Sequence, residues 1–208
     1  MAMHTARDAF LYALGDLYDG EHHLLDTQQH LFEHATDARL LEALRPHIAQ
    51  TEQHILTVEE IFRLLGAEPR RVTSHGARGM GDAARQALSE AKTEALRDYV
   101  IAGALLQIEH VEIISYRILV LAAGELSVVT QVVDRLQQTA QQDHEMARVV
   151  RQLLPQLLQT ALIREGEQLP YRAGAADDDA PVGDGSTDTP APSWKDRGTG
   201  TGSADTPA

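Results

Sequence analysis

The sequence predicts an all-α chain of four long helices, paired as two antiparallel hairpins that one long crossover joins. Three observations carry this. Apolar residues recur at alternating steps of three and four through most of residues 5–166. Pro and Gly are scarce within those stretches, and the strict alternation of a half-buried strand is absent. The first and second stretches lie close together, as do the third and fourth, whereas the second and third are far apart.

The elements follow in order. Helix A is expected over 5–34. Helix B is expected over 37–65, with Asp37 as its N-cap and Gly66 as its stop. A connection rich in Gly and Arg follows, and a short helix over about 82–92 comes after it. Helix C is expected over 96–123 with Gly124 as its stop, and helix D over 127–164 with Ser127 as its N-cap. Pro46 and Pro155 fall inside helices B and D, where kinks are expected. Two hairpins with one long crossover are the ferritin-like arrangement of four helices, rather than up-down-up-down.

The chain has 208 residues, and the composition changes near residue 167. Residues 167–208 hold six Gly, five Pro, eight acidic and three basic residues, with Leu169 and Val182 as their only aliphatics. Such a segment buries too little apolar surface to offset its ordering entropy, so it is expected to be a disordered tail behind a 1–166 bundle. It contains Trp194 in "APSWKDRG", read as a short docking motif or as a tolerated linker residue; the tail's partner is unknown.

Composition also excludes. The absence of Cys removes disulfides, thiolate catalysis, Cys-type zinc sites and iron–sulfur clusters. A net charge of −13 argues against nucleic acid as the main partner. The most apolar stretch is broken by Glu109, His110, Glu112 and Arg117, so no membrane span is expected. The N-terminus carries no signal-peptide pattern, and the expected compartment is the cytoplasm.

The apolar stripes contain the functional signal. Helix A reads Phe10, Leu14, Leu17, Glu21, Leu24, Gln28, Leu31. Helix B reads Leu44, Ile48, Thr51, Ile55, Val58, Phe62, Leu65, with His47 and His54 at its edge. Helix C reads Tyr99, Leu106, Glu109, Ile113, Tyr116, Val120, and helix D reads Val129, Val132, Leu136, Thr139, Asp143, Met146, Val150, Leu153. Three stripes are thus interrupted by a carboxylate near mid-helix. A lone buried carboxylate costs several kcal/mol unless it protonates or finds a cation. Three at one depth repel one another, and a metal between the helices resolves this. Glu109 and Glu112, at i and i+3, point to one side of helix C.

The metal set expected on this basis is Glu21, His54, Glu109, Glu112 and Asp143, with His47, Glu52 and His110 in a second tier. Oxygen-rich ligands with one or two imidazoles suit iron or manganese, one or two ions. The bland alternative pairs the carboxylates with Arg117 or Arg148. Tyr18 and Tyr116 are expected in the core, and Gln50 and Gln142 as hydrogen-bonding neighbours of the polar centre.

The segments "LYALGDLYDGEHHLL", "HIAQTEQHILTVEEIFRLLGAEP" and "DYVIAGALLQIEHVEIISYRILVLAAGEL" resemble the YciE/YciF-type ferritin-like family over about residues 8–155. Glu109, His110, Glu112 and Tyr116 match its helix C motif. Glu21 matches its helix A Glu, His47 and Thr51 its helix B motif, and Gln142 with Asp143 its helix D acidic pair. Gln50 and Gln142 stand where the family usually has Glu, which removes two carboxylates. The resemblance implies a metal-binding bundle linked to bacterial stress responses, with no established activity.

Two functions follow as expectations. One is a metal-carboxylate bundle that oxidises Fe(II) or removes peroxide. The other is a structural or interaction bundle whose metal site has decayed. A hemerythrin-like oxygen carrier needs five bundle-facing His, which the stripes do not supply. A DNA-protecting mini-ferritin is disfavoured by the acidic tail. A homodimer is expected, with the broadly apolar helix C as a contact surface.

Overall fold

The computed structural model describes residues 3–165. It contains α1 (Ala6–His34), α2 (Ala38–Leu64), α3 (His75–Glu90), α4 (Glu94–Glu125) and α5 (Thr130–Glu165). No strand occurs among the described residues, and no helix among them is long and apolar enough to cross a membrane. The acidic tail expected over 167–208, with Trp194, lies outside the described residues.

The four long helices form the expected ferritin-like bundle. α1 pairs with α2 and α4 with α5, α1 and α2 pack in turn on α4 and α5, and α3 lies in the crossover against α1 and α4. Local chemistry sets the helix starts. Thr5 and Asp8 make a capping box at α1, with Asp8 N donating to Thr5 Oγ1 at 3.1 Å and Thr5 N to Asp8 Oδ2 at 2.9 Å. Asp37 caps α2 by accepting from the N–H groups of Arg39 and Leu40. Pro46 and Pro155 sit inside α2 and α5.

Several boundaries differ from the sequence reading. Gly66 stops α2 as expected: it has φ +66°, and Ala67 N donates to Phe62 O while Gly66 N donates to Arg63 O. Gly124 does not stop α4. The helix runs one residue past it, and Ser127 takes the left-handed position at φ 51°. Val128 N donates to Ala123 O and Ser127 N to Gly124 O, the same closing pattern as at α2. Ser127 therefore ends α4 and does not cap α5, which begins at Thr130.

α3 begins seven residues earlier than expected, at His75. Its three Gly disfavour a helix by propensity, about 1 kcal/mol each relative to Ala. Tertiary packing offsets that cost. Ala77, Gly81, Ala84 and Leu88 form its buried face, and a Cβ at Gly81 would stand 2.6 Å from Thr27 Oγ1 of α1. Close approach of α3 to α1 therefore needs that glycine.

The crossover is pinned by a buried carboxylate. Asp19 accepts from Arg71 Nε at 2.7 Å and from Ser74 N at 2.9 Å. Val72 N donates to the Gly15 carbonyl at 2.9 Å, and a Cβ at Gly15 would meet Arg70 O and Val72 Cγ2 at 2.8 Å each. Asp98 of α4 pins the α1–α2 connection in the same way, accepting from Thr36 N and Oγ1 at 2.7 Å.

The apolar interior has two main parts. One is built from Phe10–Tyr18, Ile55–Phe62, Tyr116–Ala123 and Val132–Ala140 positions of the four helices. The other uses Leu31, Leu40, Leu44, Ile101, Leu105, Met146, Val150 and Leu157. In every long helix buried polar residues lie between these two sets, beside a small apolar group that includes Leu24 and Ile108.

A polar layer between two apolar cores

Each bundle helix contributes to that intervening layer. α1 supplies Glu21 and Gln28, α2 supplies His47, Thr51 and His54, α4 supplies Glu109 and Glu112, and α5 supplies Asp143. All eight are buried, none more than 3% exposed. Among the described residues no Lys or Arg is buried to that degree. Arg117 and Arg148 are exposed, and neither forms an ion pair with these carboxylates. The bland alternative of arginine neutralisation is therefore not what the fold contains.

The carboxylates are poorly satisfied. Glu21 Oε1 accepts from Tyr116 OH at 2.6 Å. The other seven carboxylate oxygens, on Glu21, Glu109, Glu112 and Asp143, have no aligned hydrogen bond. Their nearby positive partners are imidazoles. His47 Nε2 stands 2.9 Å from Glu109 Oε1, and His54 Nδ1 stands 3.7 Å from Glu21 Oε2 and 3.6 Å from Asp143 Oδ1.

The imidazoles are held from behind. Gln142 Oε1 lies 3.0 Å from His54 Nε2 and Gln50 Oε1 lies 3.3 Å from His47 Nδ1. An amide oxygen only accepts, so in each ring the nitrogen beside it carries the proton. The opposite nitrogen, His54 Nδ1 or His47 Nε2, then faces the carboxylates. Gln28 stands beside His47 Nε2 at 3.3 Å and accepts from Thr51 Oγ1 at 2.9 Å. Carbonyl support of the far ring nitrogen is the usual arrangement behind a metal-ligating histidine.

Burial, then the charges of Glu21, Glu109 and Asp143, push the Glu112 carboxyl well above its usual range. Burial, then Glu21, push Asp143 up to about 9. Burial opposes the charged form of His47, yet Glu109 beside it outweighs that and raises its pKa. His54 is raised in the same way, by Glu21 and Asp143 against its burial. With no cation in the layer, Asp143 therefore holds its proton at neutral pH, and Glu112 is shifted in the same direction.

Of the residues singled out in the sequence, Glu21, His54, Glu109, Glu112 and Asp143 come together, and His47 joins them. One ligand atom each from His47, Glu109 and Asp143 lie within 4.8 Å of one another. Glu52 and His110 do not join: both are exposed, and His110 Nδ1 donates to Leu106 O on its own helix at 2.8 Å. Tyr116 is packed in the core as expected but also hydrogen-bonds Glu21, while Tyr18 donates to Glu59 Oε1 at 2.7 Å. The sequence reading placed Gln28 on the stripe without a role; its seam position was the available signal.

Four long helices enclosing buried carboxylates and imidazoles define a ferritin-like bundle protein. The chain belongs to the family described as a domain of unknown function, DUF892, whose profile matches residues 5–163. It is 24% identical to the protein YciF of Escherichia coli K12 over 127 residues, 61% of this chain and 76% of that protein. The crystal structure of the E. coli stress protein YciF superposes with a TM-score of 0.71 at 21% identity, covering 76% of this chain and 99% of that one. YcfI of Rhodopseudomonas palustris gives 0.69 at 24% identity, covering 71% and 94%. A protein of Xanthomonas campestris gives 0.62 at 22% identity, covering 78% and 99%. At these identities the superpositions establish the fold alone.

Proposed function

We propose that the polar layer is a metal centre for iron or manganese, held by Glu21, His54, Glu109, Glu112 and Asp143 together with His47. The observation that carries this reading is the set of seven buried carboxylate oxygens without hydrogen bonds in a layer that no Lys or Arg enters. Such groups are costly unless a cation or protons compensate them. An oxygen-dominated donor set with two imidazoles suits iron or manganese. Asp143 is near both imidazoles, within 4.8 Å of ligand atoms of His47 and Glu109 and 3.6 Å from His54 Nδ1, so a two-ion centre would share it.

The chemistry that such ions supply when bound is one-electron oxidation and reduction. With hydrogen peroxide as oxidant, two Fe(II) and two protons give two Fe(III) and two waters, which removes peroxide and Fe(II) together. The chain's own groups serve this balance. Asp143 releases its proton when a cation enters. Tyr116 orients Glu21, and Gln50 and Gln142 orient the two imidazoles. The apolar cores on both sides exclude bulk water. A role in stress protection is consistent with the description of E. coli YciF as a stress protein.

The test is metal content by mass spectrometry after anaerobic loading with Fe(II) or Mn(II), with the Glu21→Ala/Glu109→Ala variant as control. Two ions per chain, lost in the variant, support the shared-Asp143 centre. One ion reduces it to a single-metal site. No metal above the variant's level overturns the reading and favours a structural bundle that keeps its layer protonated.

We propose also that the chain acts as a homodimer through α4. Val111, Ile114, Ile118 and Leu121 are exposed at steps of three, four and three. Exposed Gln107 and Glu125 bracket this stripe four residues beyond its ends. The stripe is thus self-complementary about its middle. In an antiparallel two-fold pair, Val111 faces Leu121 of the partner subunit, and Gln107 faces Glu125 of the partner subunit. Sedimentation of Ile118→Glu tests it: a monomer is expected, and an unchanged dimer overturns the contact.

A further inference from the structure

A second cluster of donor side chains lies at the C-terminal end of α1, away from the carboxylate layer. His30, Glu33 and His34 stand at i, i+3 and i+4, so they share one helix face. One ligand atom from each lies within 4.8 Å of the other two. Glu21, the layer's carboxylate on this helix, is about 14 Å upstream along the axis at 1.5 Å per residue, and Gln28 of the layer precedes His30 by two residues.

The two imidazoles are arranged to offer lone pairs. Their ring centroids are 4.5 Å apart. His34 Nδ1 lies 2.9 Å from the His30 carbonyl. A carbonyl only accepts, so the proton is on Nδ1, and the Nε2 lone pair is left for another partner.

We propose that His30, Glu33 and His34 form a surface site for one divalent transition-metal ion of the zinc class, separate from the carboxylate layer. Two imidazole nitrogens and one carboxylate oxygen are a borderline donor set that suits zinc, whereas the layer's donors are dominated by oxygen. Three protein ligands leave one tetrahedral position. Both histidines line a recess of about 420 Å³ whose wall includes Arg85, Lys92 and Arg97 and no carboxylate. The recess has room for a fourth ligand, and its basic wall favours a small anion there over neutral water.

The test uses untagged full-length protein, stripped with chelator and titrated with Zn(II) by calorimetry. The expected result is one fewer zinc ion per chain in His30→Ala/His34→Ala than in wild type. Glu33→Gln is expected to bind that ion at least about tenfold more weakly. Glu33 and His34 are exposed and His30 is half-buried, so the helical circular dichroism is expected to be unchanged. The Glu21→Ala/Glu109→Ala chain is expected to keep this ion. Equal zinc number and affinity in wild type and the histidine double variant would overturn the proposal, as would loss of the ion from Glu21→Ala/Glu109→Ala with His30 and His34 intact.

Discussion

Gln142 Oε1 accepts the Nε2–H of His54 at 3.0 Å, and this contact turns His54 Nδ1 toward Glu21 and Asp143. Gln142 stands where the resemblance placed a Glu, and in the sequence its amide looked like a lost ligand. In the fold the amide oxygen fixes the tautomer of His54, a proposed ligand, instead. Gln50 does the same for His47.

Removing that support should weaken the centre without emptying it. Gln142→Leu is expected to lower Mn(II) affinity by about 10–100-fold, the usual cost of losing a partner behind a ligating histidine. Gln142→Glu, which keeps an accepting oxygen, should lose less. A competition titration against a chelator of known affinity reads both. Equal affinity in wild type and Gln142→Leu would contradict this role for the amide.

The metal-free chain should become less stable as pH rises through the neutral range. Asp143 is raised from 3.8 to about 9 in the fold, so the folded state holds this proton where the unfolded chain has released it. Its contribution is fully present below 3.8 and is lost as pH rises through about 9. Glu112, His47 and His54 are also raised, so they act in the same direction. Each proton difference gives a slope of about 1.4 kcal/mol per pH unit. Urea midpoints of metal-free protein should fall between about pH 6 and pH 9, and Asp143→Asn should flatten the slope. A bound cation should reverse the trend, because protons compete with it.

Asp19 secures the crossover that carries α3. Its burial raises its pKa, but the Ser74 N–H and the Arg71 guanidinium outweigh that and hold it below the usual carboxylate range. Asp19→Ala leaves a buried N–H unpartnered, and Arg71 is partly exposed, so the loss is discounted to about 1–3 kcal/mol. Chemical denaturation measures it. No change beyond about 0.5 kcal/mol would show that the crossover is held without Asp19.

Two helical glycines should respond with opposite signs. Gly15→Ala meets backbone at 2.8 Å from Arg70 O, where little can yield, and should destabilise by about 1–3 kcal/mol. Gly103, inside α4, has nothing within 4 Å of an added Cβ. Gly103→Ala should stabilise by about 0.5–1 kcal/mol through helix propensity. Thermal unfolding of the pair of variants distinguishes them.

Much of the fold was legible because its signals are local. Asp37 and Gly66 mark helix ends by hydrogen bonds and dihedral preferences within a few residues. The errors have non-local causes. α3 was cut short at its glycines because propensity cannot see that Thr27 of α1 requires Gly81. α4 is apolar on nearly every face, so the stripe chosen through Tyr99, Leu106 and Val120 proved half-buried, while Ile101, Leu105 and Leu119 face the core.

Periodicity along the chain was sufficient for the helices, their hairpin order and the interruption of each stripe by a polar side chain, because the spacing of side chains on a helix is a local property. It named most of the layer's members, but not which residues at the stripe edges join them. A helix can rotate about its axis by a fraction of a turn at little local cost, and side chains on facing helices set that phase. In α2 that rotation brings His47 and His54 inward together and leaves Glu52 in solvent. It also decided that Gln50 and Gln142 stand behind imidazoles, a role that exists only once separate helices meet.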